Sequence, residues 1–248
     1  MKSFIDLKST LIIDLETVSL TKDFYDLSEA MQKCWKEKVA RDPELSILTP
    51  EDSYKKAAAL YPEFSKIVSL SFGRYTENAD KELGLIVDDY SGDNEALILE
   101  QFKLLTNEIG FGLVLVAHNG KNFDYPFLIK RYLINGITVP KNIDIRGKKP
   151  WEIKHLDTAE IWSCGSSKGY AKLSLLCAVF GIPTSKDDID GSQVGNVYYN
   201  EENGIKRIAT YCRKDVVVTA QVYLKLTETP IIADYLVVLA EHVAEPII

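Results

Sequence analysis

Paired cysteines are missing from this chain of 248 residues: its four cysteines are Cys34, Cys164, Cys177 and Cys212, and no two form a Cys-x-x-Cys pair. Neither a zinc knuckle nor a disulfide framework is suggested, and that pattern points to a reducing, cytoplasmic location. Basic residues are in deficit, 29 against 36 acidic, for a net charge of −7. This balance argues against a generally basic glove for nucleic acid, while local basic patches and an acidic metal site stay compatible with it. Long apolar runs are absent too. Met1-Lys2-Ser3-Phe4-Ile5-Asp6 carries no signal-peptide apolar region, and residues 230–248 are interrupted by Asp234, Glu241, His242 and Glu245. That late stretch is too short and too charged to span a bilayer, so no membrane partner is expected. No internal repeat or low-complexity tract is found. What the chain does have is 46% hydrophobic content. That is enough for one large core, and a single domain over residues 1–248 is expected, with a charged insertion at about 17–66 and a helical tail at about 228–248.

Residues 10–16 read as a buried strand. Within the insertion, helical patterns fall near residues 25–39 and 50–60, the second opened by Thr49-Pro50-Glu51. Ile67-Val68-Ser69-Leu70-Ser71-Phe72-Gly73 alternates as a strand does, and residues 82–89 form another, so an antiparallel meander is expected. Asp93 or Asn94 can cap a helix presenting Leu97, Ile98, Phe102 and Leu105, stopped at Gly110-Phe111-Gly112. Leu113-Val114-Leu115-Val116-Ala117 is a continuous apolar run, the mark of a strand covered on both faces. Helices are expected over 122–135, 173–180 and 205–226, a short last strand over 154–158, and a polar loop over 184–204. Strands first, then helix and strand in alternation, predict a mixed sheet with helices on both faces. Ligands in such sheets collect at the carboxyl ends of strands.

The chemistry gathers at that end. In Leu11-Ile12-Ile13-Asp14-Leu15-Glu16-Thr17 the two acids are spaced i, i+2, which places both on one face of a strand and Leu11, Ile13 and Leu15 on the other. Side by side they repel, and oxygen ligands of this kind suit a hard divalent cation. The alternative is an acidic strand end frayed into solvent. Asp124 falls in the first turn of the helix after the apolar strand, where an acid also complements the helix dipole. Tyr211 and Asp215 share a helix face at i, i+4 beside the stripe Ile208, Cys212, Val216 and Ala220, so Asp215 borders the core. Pairing of Asp215 with Arg213 or Lys214 is the alternative there.

Asp14-x-Glu16, Asn119-x-x-x-Phe123-Asp124 and Tyr211-x-x-x-Asp215 together resemble the three-motif pattern of the DEDD 3′–5′ exonucleases. The tyrosine four residues before the last Asp is similar to the DEDDy subgroup. His155-Leu156-Asp157-Thr158, Leu173-Ser174-Leu175-Leu176, Asp190-Gly191-Ser192-Gln193-Val194 and Tyr211-Cys212 carry a closer likeness, to stand-alone predicted exonucleases related to the exonuclease domain of B-family DNA polymerases. The likeness covers roughly residues 10–226. It implies an α/β, RNase H-like fold with a five-stranded mixed sheet flanked by helices. It also implies a metal-dependent 3′–5′ exonuclease acting on the 3′ end of single-stranded nucleic acid, with DNA the expected substrate and RNA the alternative, a preference the sequence itself does not reveal. Two divalent cations, Mg²⁺ or Mn²⁺, would be held by Asp14, Glu16, Asp124 and Asp215, with Tyr211 positioning the water or acting as a weak base. By the same pattern Leu15 would wedge at the terminal base, Thr17 would touch the terminal nucleotide, and Asn119 and Phe123 would line the strand path, Phe123 packing in the core being the alternative.

Other residues carry weaker expectations. Lys141, Arg146, Lys148, Lys149 and Lys154 with Trp151 form either a phosphate-tracking patch or a solvated loop, and Lys168 and Lys172 are lesser phosphate candidates. None of His118, His155 and His242 stands where the sister subgroup has its basic histidine. Asp157 either supports the site or ends its strand. Two rival functions share the fold: a module that binds single strands without cutting, and a hydrolase of very short oligonucleotides. The oligomeric state is not fixed by any of these features.

Overall fold

The computed structural model describes residues 9–166, 170–184 and 189–240. Lys168 and His242 lie outside them. The first strand, β1 (Thr10–Ser19), alternates as expected: Leu11, Ile13 and Leu15 enter one core, Ile12 the other. The insertion follows, with α1 (Glu29–Val39) and α2 (Pro50–Ala57). The Thr49 hydroxyl caps α2 by accepting the Asp52 N–H at 3.1 Å, and Pro50 fills the first helical position. These helices build their own core around Trp35, Tyr54, Phe24 and Phe64. It is anchored to β1 where the Thr17 hydroxyl donates to Ala59 O at 2.8 Å and the Leu20 N–H to Phe64 O at 2.9 Å.

Strands β2 (Ser65–Glu77) and β3 (Leu83–Ser91) complete the meander. Helix α3 (Glu95–Ile109) is capped by Asn94 and ends at Gly110, whose φ of 80° suits glycine. Then come β4 (Val114–Ala117), α4 (Asp124–Ile134), β5 (Leu156–Asp157), α5 (Thr158–Ser163), α6 (Leu173–Phe180), α7 (Val194–Asn200), α8 (Gly204–Leu226) and β6 (Val237–Leu239). The sheet order is β5-β4-β1-β2-β3-β6. The pairs β1/β2 and β2/β3 are antiparallel, and β1/β4, β4/β5 and β3/β6 are parallel. One face of this mixed sheet packs on α3 and α4 through Phe102, Leu128 and Tyr132, the other on α8 through Val216, Ala220 and Leu224.

Four expectations need correction. The sheet has six strands, not five: Val237–Leu239 pairs with Leu85–Val87, so the described part of the tail is a turn and a strand where a helix was expected. That strand covers the outer edge of β3, which would otherwise offer unpaired backbone groups. The stretch read as a polar loop contains α7, whose Val194 and Val197 pack with Val18 of β1. Helix α5 is six residues long, too short to show periodicity. Leu97 is exposed and faces away from the core that Ile98, Phe102 and Leu105 share.

Candidate active site

The acid pair is built by the way β1 outruns its neighbour. The last paired residues are Ile12 and Val116, and β4 ends at Ala117. Asp14 and Glu16 therefore stand beyond the end of β4, half-buried, on the sheet face under α8. On the other side of β1, Ser71 lies opposite Asp14 and Ser69 opposite Glu16. The register then shifts between Glu16 and Thr17, a bulge beside the acids of the kind that re-aims side chains.

Small residues on β2 let α8 approach. A Cβ on Gly73 would come within 2.8 Å of Val216 Cγ1. At this short spacing the Cys212 thiol reaches Asp14, 3.3 Å from Oδ2 and 3.4 Å from the backbone O. Tyr211, one turn before Asp215, hydrogen-bonds to its carboxylate. Arg213 turns the other way, to Asp89 at 3.4 Å and Ala240 O at 2.7 Å. It is thus not the partner of Asp215 that helix neighbours might have supplied.

Asp124 enters from the opposite wall. It opens α4 and is 4% exposed. The backbone N–H groups of Asp124 itself and of Leu15 favour its charged form, but burial outweighs them and, with Asp157 adding repulsion, pushes its pKa up to about 7. Burial also raises Asp14 and Glu16 well above the ordinary carboxylate range. Asp215, Glu16 and Asp124 add repulsion at Asp14, and Asp215 and Asp124 do so at Glu16. The Asp14–Glu16 pair thus feels both Asp124 and Asp215, across three elements distant in sequence. Tyr211 is raised by burial first and then by Asp215 and Glu16, so its phenol stays protonated at neutral pH.

The turn that carries Asp124 is pinned by Asp157. Its Oδ1 accepts the Asn119 N–H at 2.9 Å and the Ala159 N–H at 2.9 Å, and its Oδ2 accepts the Lys121 N–H at 3.1 Å. Asn119 sits at φ 63°, a conformation this residue type tolerates, and its side-chain oxygen accepts from Asn122. Gly120 is required by close approach, since a Cβ would come within 2.6 Å of Ala117 Cβ and 2.7 Å of the Tyr125 ring.

Four acids drawn to one end of β1, ordered Asp-x-Glu, Asp, Asp with a tyrosine on the last, set the frame for comparison. A family of predicted 3′–5′ exonucleases related to the exonuclease domain of PolB matches residues 60–231. The chain belongs to this family. Its fold is similar to that of the family B DNA polymerase from the hyperthermophilic archaeon Pyrobaculum calidifontis, with a TM-score of 0.51 and 14% identity over 87% of this chain and 24% of the polymerase. The chain thus spans about a quarter of that polymerase, and the likeness is one of fold. A comparison with curated proteins gives no match.

Within this exonuclease family fold, the other sequence-expected residues are placed as follows. Leu15 is 6% exposed and points into the core on the face away from the acids, so its side chain is not presented as a wedge. The Thr17 hydroxyl is buried and spent on Ala59 O. Phe123 packs half-buried against Phe127, ring centroids 5.1 Å apart. His118 bridges Thr158 Oγ1 and Ala171 O, each at 2.9 Å, and buried His155 accepts the Leu115 N–H at 3.1 Å. Burial lowers both imidazoles, His155 to about 4. The basic loop 141–154 docks at the amino end of β4, where Lys154 donates to Phe111 O at 2.6 Å and Asn142 to Gly110 O at 3.0 Å. It lies at the far end of β4 from the acids. Arg146 is held by Asp144.

Sequence reasoning missed three features near the acids. Ser69, Ser71 and Cys212 line them, although all lie in stretches read as core. Tyr170 is exposed and 6.2 Å from the His118 ring, and its phenol is raised by partial burial of the hydroxyl first and then by the charges of Asp157 and Asp124. A cleft of about 660 Å³ opens beyond the end of β1, lined by Ser19, Lys22, Lys55, Lys56, Tyr199 and Asn200 among others. Among the described residues no helix is long and apolar enough to cross a membrane.

Proposed function

We propose that this chain is a DEDDy-type 3′–5′ exonuclease that hydrolyses phosphodiester bonds at the 3′ end of single-stranded nucleic acid, DNA in preference to RNA, with two divalent cations, Mg²⁺ or Mn²⁺. What supports the reading is the convergence of Asp124 and Asp215, from two other elements, on the Asp14–Glu16 pair closely enough for their charge to be felt there. Buried like charges are unfavourable unless protonated or neutralised by a cation, and an oxygen donor set fits a hard one. Asp14, Glu16 and Asp215 would hold one ion and Asp14 with Asp124 the other. Bound there, the ions supply Lewis-acid polarisation of the phosphodiester and an acidified water.

The chain's own residues then divide the remaining tasks. Tyr211, kept protonated and donating its hydrogen to Asp215, orients the attacking water by accepting from it at the phenol oxygen, as a positioning group. Asp157 holds the turn that aims Asp124. The strand would leave the acids along the end of β1. Ser19 lies three residues past Glu16, about 10 Å at strand rise, and there Lys22, Lys55 and Lys56 offer charge to phosphates. Tyr170, more open than Phe123, is the ring placed to stack on a base. A cytoplasmic location belongs to the same reading, supported by exposed free thiols at Cys34 and Cys164.

The test is a 5′-labelled single-stranded oligonucleotide, as DNA and as RNA, with Mg²⁺ or Mn²⁺ against EDTA. Stepwise shortening from the 3′ end, abolished by chelation and faster on DNA, is expected. Binding without metal-dependent cleavage would overturn the assignment.

A further inference from the structure

We propose that Cys212 turns the Asp14–Glu16 pair into a mixed oxygen–sulfur site that captures thiophilic divalent ions, Zn²⁺ above all, in competition with Mg²⁺ and Mn²⁺. The inference rests on the reading of Asp14 and Glu16 as cation ligands and adds a ligand of a different chemical kind. Cys212 is fully buried, and a ligand atom from each of Asp14, Glu16 and Cys212 lies within 4.8 Å of the other two. Tetrahedral zinc, with sulfur at about 2.3 Å and carboxylate oxygen at about 2.1 Å, separates two such ligands by about 3.6 Å. The Cys212 Sγ to Asp14 Oδ2 distance of 3.3 Å is already near that value.

A second observation points the same way. The Ser69 and Ser71 hydroxyls are fully buried across from Glu16 and Asp14 and lie against the Cys212 thiol, with no hydrogen-bond partner but that sulfur among the described residues. Sulfur is a weak hydrogen-bond partner, so these two buried hydroxyls beside Asp14 and Glu16 stay under-satisfied, a mark of a place that takes an ion. Zinc binds N, O and S donors more tightly than Mn²⁺ does, and a thiolate widens that gap because soft sulfur disfavours Mg²⁺ and Mn²⁺. On capture the S–H bond breaks, its electron pair forms the metal–sulfur bond and the proton passes to solvent, with no oxidant needed. Zinc held this way occupies Asp14, the residue that both catalytic ions would share, so capture inhibits.

Chelator-treated protein titrated with Co²⁺ decides the matter by absorption. A near-ultraviolet thiolate-to-cobalt charge-transfer band is expected in the wild type and is expected to vanish in Cys212→Ser. Zn²⁺ affinity, read by competition against Co²⁺, should fall at least tenfold in that variant, while Mn²⁺ affinity, read by its electron spin resonance, should change less than threefold. Co²⁺ bound without the band in the wild type would overturn the sulfur ligand and leave the carboxylate site standing. No binding of Co²⁺ or Mn²⁺ at all would remove both. The band is read in the unaltered chain, so a variant that fails to fold does not spare the proposal.

Discussion

At the scale of single residues, the site divides into groups that hold charge and groups that aim it. Asp14 and Asp215 hold charge. Replacing either by Ala should remove at least ~10³-fold of turnover in the oligonucleotide assay with the fold intact by circular dichroism, since the cation site loses a ligand. Tyr211→Phe should cost less, about 10- to 100-fold in kcat, because it removes one positioning hydrogen bond and leaves the acids in place. Near-normal turnover in Asp215→Ala would exclude the scheme. Asp124 also makes a statement about pH. Its native pKa of about 7 lies above the value near 4 of an unfolded chain. Between those values the native state binds more protons than the unfolded one, so without metal stability is greatest at low pH and falls as pH rises from about 4 through about 7. In EDTA, Asp124→Asn should flatten that fall, read as the thermal midpoint against pH.

At the scale of elements, function depends on how closely α8 rides over β2. Gly73, Ser71 and Ser69 supply the low ground, and Val216 has no free space above Gly73. Gly73→Ala should cost about 1–3 kcal/mol by overpacking and lift α8 from β1. A lowered thermal midpoint together with reduced Mn²⁺ affinity is expected, whereas a loss of stability alone would show that the helix spacing does not set the site. The insertion contributes a wall of the cleft beyond β1 through Lys22, Lys55 and Lys56. Among the described residues Lys55 and Lys56 have loose acidic partners, Asp23 at 3.7 Å and Glu44 at 3.9 Å. Replacing all three lysines by Ala should raise KM with little change in kcat. The salt dependence of single-strand binding should become shallower by about 0.7 in log–log slope for each phosphate no longer neutralised. An unchanged slope would send the strand elsewhere.

At the scale of the whole molecule, the folded chain stores repulsion at one end of its sheet and is poised to gain stability from a cation. Mg²⁺ at 100 times its dissociation constant would add about 2.7 kcal/mol, or several degrees in the thermal midpoint for a chain of this size. The gap between the Mg²⁺ and EDTA melting curves should widen from pH 5 to pH 8 as the acids would otherwise have to ionise unpaired. Parallel curves would mean that these acids do not meet on a cation.

Much of this arrangement was legible in the chain itself because the signals are local. Alternation along Leu11–Leu15 placed two acids on one strand face, the i, i+4 spacing placed Tyr211 with Asp215, and the Gly110 stop and the apolar run before Ala117 marked where Asp124's turn begins. The roles that the resemblance implies for Leu15 and Thr17 fall on buried side chains, and the basic loop 141–154, open to two readings, docks at the far end of β4 from the acids. Residue type and nearness in sequence do not say which side of a sheet, or which end of a strand, a group will meet. The short elements α5, α7 and β6 carry too few residues for a period to declare itself. Sequence alone thus determined the order of acids, the mixed α/β class and the family. Only the tertiary structure decided that a thiol 198 residues away lies on Asp14, that two serine hydroxyls lie against that thiol, and that the lysines lining the cleft past β1 belong to the insertion. Those are facts of helix-on-sheet spacing, set by side-chain volumes across β2 and α8, and no local pattern encodes a distance between elements so far apart along the chain.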